Sequence, residues 1–95
     1  MKLESVTPAG DGVHKFKAVF TNGRTKTTKF GAAGMDDYTK TKDKEQRDRY
    51  IERHGRGREN WNDPTSAGAL SRYLLWGEST SMVKNLQAYR RRFNL

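Results

Sequence analysis

The chain predicts an α+β fold: a small N-terminal antiparallel β-hairpin or three-stranded meander, followed by about three helices. Three observations predict it. Two β-prone runs flank an Asn-Gly pair near the N-terminus, Gly31-Ala32-Ala33-Gly34 closes that region, and helical apolar spacing dominates from Pro64 onward. At 95 residues the chain makes one domain at most, with residues 1–34 as its β region and residues 35–95 as its helical region.

The β region is built around Val13–Phe20 and Arg24–Phe30, separated by Thr21-Asn22-Gly23. Asn-Gly between such runs signals a type I′ hairpin turn, in which both central residues take positive φ. With Asn22-Gly23 as the two-residue loop, Thr21 pairs with Arg24, Ala18 with Thr27 and Phe16 with Lys29. One face then holds Phe16, Ala18 and Phe20 beside Thr25 and Thr27. The other holds Lys15, Lys17, Arg24 and Lys26 beside Val19, Thr28 and Phe30. A bare hairpin is marginal in water, so residues 2–7 are expected to add a third strand through the Pro8–Gly12 turn, or a helix to cover the apolar face.

Residues 39–54 read as a solvated helix with Tyr50, Ile51 and His54 inward and Tyr38 at its start. Asp43–Arg47 and Glu45–Arg49 stand at the favourable i,i+4 spacing. Gly55 suits the C′ position, and Gly55-Arg56-Gly57-Arg58 continues as a flexible basic loop. Asp63-Pro64 matches an N-cap and first helical residue. The next helix carries Ala67, Leu70, Tyr73, Leu74 and Trp76 and stops at Gly77. Ser79-Thr80-Ser81 offers another cap, and Met82, Leu86, Tyr89 and Phe93 form one amphipathic stripe.

Charge is the main functional signal. The formal net charge is +8, from 19 Lys+Arg against 11 Asp+Glu. Residues 35–64 carry eight cations and eight acids, so the surplus lies in the segments on either side. Lys15, Lys17, Arg24 and Lys26 form a candidate phosphate-binding ribbon, and Arg90, Arg91 and Arg92 a candidate second contact, binding nucleic-acid backbone by releasing condensed counterions. The plainer roles are solubility for outward cations and, for the triplet, complementing a helix C-terminus. Consecutive residues on a helix also point in different directions, so the triplet cannot meet one ligand evenly. Phe16, Phe20, Trp61 and Trp76 have the chemistry to stack on bases, but a chain only 33% hydrophobic needs its rings inside.

Other chemistries are poorly supported. With zero cysteines there are no disulfides or thiolate sites. No run approaches the ~20 apolar residues of a membrane helix, and the N-terminus lacks the apolar stretch of a signal peptide. His14 and His54 have no second ligand at metal spacing. The acids Asp43, Glu45, Asp48 and Glu52 sit among bases on a solvated helix, unlike a tuned general acid. The glycines at 31 and 34 lack the Lys-Ser/Thr sequel of a P-loop. The expectation is a non-enzyme without cofactor or metal.

The stretches Gly31–Thr39, Lys42–Glu45, Arg49–Gly55 and, most specifically, Asn60-Trp61-Asn62-Asp63-Pro64 through Leu74-Leu75-Trp76 resemble a family of small uncharacterised proteins of large nucleocytoplasmic DNA viruses, including algal viruses. The resemblance runs over about residues 13–95 and leaves out the N-terminal dozen residues and the arginine triplet. It implies a place in the virion or the infected cell, and no reaction or catalytic residue. Two roles are therefore expected: binding of nucleic-acid backbone, chiefly DNA, in genome packaging, or a minor capsid or cement protein whose arginines meet acidic capsid surfaces and whose aromatics anchor the interface.

Overall fold

Three antiparallel strands in the order β1-β2-β3 make the sheet: β1 (Lys2–Pro8), β2 (His14–Thr21) and β3 (Thr25–Ala32). The computed structural model describes residues 1–55 and 60–95. Helices α1 (Tyr38–Thr41), α2 (Lys44–His54), α3 (Ala67–Leu70) and α4 (Met82–Phe93) follow, and α3 runs directly into a π-helical segment, Ser71–Leu75. The α+β arrangement is as the sequence predicts, including the third strand from the N-terminus.

The register of the hairpin differs. Thr21 pairs with Thr25, Ala18 with Thr28 and Phe16 with Phe30, so the turn spans Asn22-Gly23-Arg24. Gly23 has φ of +75° while Asn22 has no positive φ, which rules out the type I′ turn. A one-residue slip moves every side chain of β3 to the other face. Phe30 and Thr28 thereby join Phe16, Ala18 and Phe20 facing the helices, and Thr25, Thr27 and Lys29 join Lys17 on the open face. Burial explains the choice. Ala18, Phe20 and Phe30 are all almost fully buried, and the expected register would have left the Phe30 ring on the solvent side. On β1, Leu3 pairs with Phe20 and Val6 with Ala18 across a register shift between Leu3 and Ser5, which keeps Leu3 in the core.

The inner face of the sheet packs on Leu70, Leu74, Leu75, Trp76 and Tyr89 in one apolar cluster. Polar clamps set the helices at its two edges. On β3, Thr28 Oγ1 donates to the Thr65 carbonyl at 2.7 Å and Lys26 Nζ to Thr65 Oγ1 at 3.0 Å. On β1, Arg90 Nη2 donates to the Leu3 carbonyl at 3.0 Å.

The expected helix over 39–54 is two. Lys42 takes a left-handed conformation (φ 57°) and ends α1, and Asp43 then caps α2 by accepting from the Glu45 and Gln46 amides. Asp43 is thus committed to backbone, and Arg47 turns instead to the Trp76 and Gly77 carbonyls at 3.3 and 2.8 Å. Tyr50 is buried and stacks between Trp76 (centroids 4.4 Å apart, 7° between planes) and His54 (4.2 Å). Gly55 caps α2 with φ of −77°, so no left-handed turn is needed there. The rest of the expected basic loop, Arg56-Gly57-Arg58, lies outside the described residues.

Asp63-Pro64 does not start α3. Asp63 accepts from the Thr65 amide and hydroxyl in a turn, and Ser66 is the cap, its Oγ accepting from the Ala69 amide. Helix α3 therefore begins three residues later than expected, which leaves Ala67 exposed while Ala69 and Leu70 are buried. Ser81 caps α4 as expected, accepting from the Lys84 amide.

Candidate nucleic-acid interface

The seven cations singled out by the sequence go to different places. Lys15 is not free: its side chain is 12% exposed and pairs with the buried carboxylate of Asp37. Lys26 faces the helices and, through Thr65, reaches toward Asp63. Lys17 stays on the open sheet face directly opposite Lys29, a like-charge pair that destabilises unless one member finds an acid. Lys29 does, with Nζ 3.2 Å from Asp11 Oδ2. Arg24 lies exposed in the turn. The expected ribbon of four is therefore broken: Lys17 and Arg24 stay on the sheet side, Lys15 is taken up by Asp37, and Lys26, though exposed, turns to Thr65.

The arginine triplet divides, as consecutive helical residues must. Arg90 reaches back to β1, Arg91 is exposed, and Arg92 lies over the Tyr73 ring, 4.2 Å from its centroid. Arg91 and Arg92 line a groove of about 610 Å³ between the π-helical segment and α4, together with Arg72, Tyr73, Lys84 and Glu78. No strand residue lines the groove. The groove thus gathers Arg91 and Arg92 without the hairpin cations.

Arg72 went unnoticed in the sequence because a lone arginine on an apolar helix carries no motif. Its guanidinium lies 5.2 Å from the Trp61 ring centroid and 5.0 Å from that of Tyr73, and its Nη1 donates to the Trp76 carbonyl at 2.9 Å. Cation–π contacts and a carbonyl hold it, with no carboxylate partner among the described residues. Burial lowers its pKa from the ordinary arginine value, and Arg47 and Arg92 nearby push the same way.

Asn85 also went unnoticed. It is 3% exposed, with Nδ2 donating to the carbonyls of Leu74 (2.9 Å) and Ser79 (2.7 Å) and Oδ1 accepting from the Ser79 amide (3.1 Å). Gly77 makes this approach possible, since a Cβ there would stand 2.7 Å from Asn85 Cγ and 2.4 Å from the Tyr73 carbonyl. The amphipathic stripe on α4 gave no sign of it, because an asparagine beside apolar positions reads as surface.

Two carboxylates and one phenol have proton affinities shifted in directions that bear on stability. Hydrogen bonds from the His14 backbone and ring and from the Val13 amide hold Asp11 well below the usual carboxylate range. The Thr65 amide and hydroxyl lower Asp63. Burial raises the Tyr89 phenol above its ordinary 10.0, with Asp63 and Tyr73 adding to the shift, while its hydroxyl donates to the Pro64 carbonyl at 2.6 Å. A depressed carboxylate stabilises the fold above its unfolded pKa, and that stability is lost as pH falls through the folded value. A raised phenol stabilises it below the unfolded pKa, and that part is lost as pH rises above 10.0. The denaturation midpoint should therefore fall on both the acid side, below about pH 4, and the alkaline side. Asp63→Asn should flatten the acid limb and Tyr89→Phe the alkaline limb. Unchanged limbs in the two variants would contradict these assignments.

His14 Nδ1 lies 3.0 Å from Asp11 Oδ2 and His54 stacks on Tyr50, so both rings take part in holding local structure. Phe20 and Trp76 are buried, while Phe16 and Trp61 are half-buried. The Phe16 ring packs against Phe30 and the Trp61 ring against Tyr73 and Arg72.

The model of the Family of unknown function (DUF5754) matches residues 4–54, more than half of the chain, and the chain belongs to that family. The match spans most of β1 through the end of α2. No curated protein and no solved structure matches.

Proposed function

We propose that this member of the DUF5754 family is a non-enzymatic module that binds the phosphate backbone of nucleic acid, chiefly DNA. One observation carries the reading. Of Lys15, Lys17, Arg24, Lys26, Arg90, Arg91 and Arg92, only Lys15 is in an ion pair among the described residues. Among the described residues, most of the surplus cations at both ends of the chain thus have no ion pair with an acid of the chain, Lys15 and Lys29 excepted, which is what a polyanion partner requires. Arg91 and Arg92 on the helical side make the main contact, and Lys17 and Arg24 a separate one on the sheet side.

The sequence resemblance to proteins of large nucleocytoplasmic DNA viruses supports a packaged genome or an infected cell as the setting. A cement role between capsid subunits has less support. It calls for aromatic anchors at a rim, and the exposed large apolar side chains among the described residues are Met1, Val13, Met35 and Val83.

The test is a log-log plot of duplex-DNA affinity against salt. Four phosphate contacts predict a slope of about −3 to −4, which Lys17→Gln should make shallower by about 1. A flat slope, or no binding at low salt, would overturn the reading.

A further inference from the structure

We propose that the groove between the π-helical segment and α4 is a phosphate site, with the guanidiniums of Arg72, Arg91 and Arg92 and the ammonium of Lys84 around the phosphoryl oxygens. The inference goes beyond backbone binding, because a single small phosphate compound is enough to occupy the groove. Its volume of about 610 Å³ lies within the usual range of small-ligand pockets.

Charge balance is the first argument. Four cations line the groove against one carboxylate, Glu78, and none of the four makes an ion pair among the described residues. Like charges gathered this way repel one another, and a bound anion relieves that repulsion.

Preorganisation is the second. Arg72 is fixed by the Trp76 carbonyl and by two rings, and Arg92 by the Tyr73 face. Guanidiniums already held in place lose less freedom when they bind, and their planar donor forks match phosphoryl oxygens. The third argument is an unmet donor. Among the described residues Arg72 Nε is buried with no hydrogen-bond acceptor, a costly state in a folded protein, on a side chain that itself lines the groove.

Phosphate can reach the groove as a free compound or as part of a nucleic-acid backbone, so the experiment carries both arms on the full chain. Inorganic pyrophosphate is titrated at constant ionic strength against a chloride control, followed by the Nε–H resonances of the arginines and by calorimetry. Duplex DNA is then competed with pyrophosphate. Saturable pyrophosphate binding is expected, with Arg72, Arg91 and Arg92 responding. Arg91→Gln and Lys84→Gln, both at exposed positions, should weaken it by roughly tenfold each with an unchanged melting temperature. Arg72→Lys keeps the charge but loses the fork, and should weaken binding similarly.

A pyrophosphate response equal to that of chloride overturns the site, as does undiminished affinity in Arg91→Gln and Lys84→Gln. If DNA fails to bind while pyrophosphate binds, the nucleic-acid reading falls and the groove stands. If DNA binds and pyrophosphate neither binds nor competes, the groove falls and the nucleic-acid reading stands.

Discussion

Replacing Asp37 with Asn should destabilise the fold by about 3–5 kcal/mol, the usual effect of removing one partner from a buried ion pair. Asp37 is 2% exposed and accepts from Lys15 Nζ, from the Thr39 hydroxyl and, at 2.9 Å, from the Thr39 amide. It therefore neutralises a strand lysine and caps α1 at once. Asparagine keeps the size and part of the capping ability, but leaves the Lys15 ammonium without its counter-charge. A domain of this size is stable by only about 5–15 kcal/mol, so the variant should unfold at much lower denaturant with an unchanged m-value. Lys15→Met should cost a comparable amount, and Lys15→Met with Asp37→Leu should recover the part due to the unpaired charge, because apolar replacement of a whole buried pair is often tolerated, while the lost cap on α1 still costs about 0.5–2 kcal/mol. A shift below about 1 kcal/mol in Asp37→Asn, or strictly additive effects in the double variant, would show that the pair does not act as a buried unit.

The second large effect is expected at Asn85. Asn85→Ala should cost about 3 kcal/mol or more, because the Leu74 and Ser79 carbonyls and the Ser79 amide lose their shared partner, and each buried group left unsatisfied costs about 1–3 kcal/mol. Asn85→Asp should be no better. It removes both donors and turns a carboxylate toward the two carbonyls. The loss should appear locally as faster hydrogen exchange at the Ser79 amide and the start of α4, as well as in the denaturation midpoint. Protection at Ser79 unchanged from the native protein would refute the clamp. Gly77→Ala should fail for a related reason, since its Cβ would collide with Asn85 and the Tyr73 carbonyl.

Both residues show where sequence reading stops. Asp37 belonged to a segment whose cations and acids cancel, and nothing local marked it as the buried partner of a lysine 22 positions earlier. Asn85 sits beside the apolar stripe of α4, and its partners, Leu74 and Ser79, lie outside that helix. In both cases the informative contact is made by residues far enough apart that no spacing rule connects them. The candidate interface was legible to the same degree. Composition by thirds located the surplus charge, and the helical geometry of consecutive arginines foretold that the triplet would split. The recruitment of Arg72 and Lys84 beside Arg91 and Arg92 depends on how α4 lies along the π-helical segment.

Local physics was enough for the α+β class and the identity of the strands. The alternation of β2, the glycine-bearing turn after it, the Ser81 cap and the Leu70-Leu74 and Leu86-Tyr89 spacings act over a few residues and are written into adjacent positions. The tertiary structure decided the hairpin register, the break at Lys42 and the fate of each cation. Threonine-rich β3 presents nearly the same pattern on both faces, with Phe30 as its one large apolar side chain. Burying that ring beside Phe16 and under the helices sets the register, and the register assigns Lys26 to the inner face and Lys29 to the open one. Counting lysines and arginines along the chain fixes the amount of positive charge, but burial and long-range pairing determine which of them face a partner.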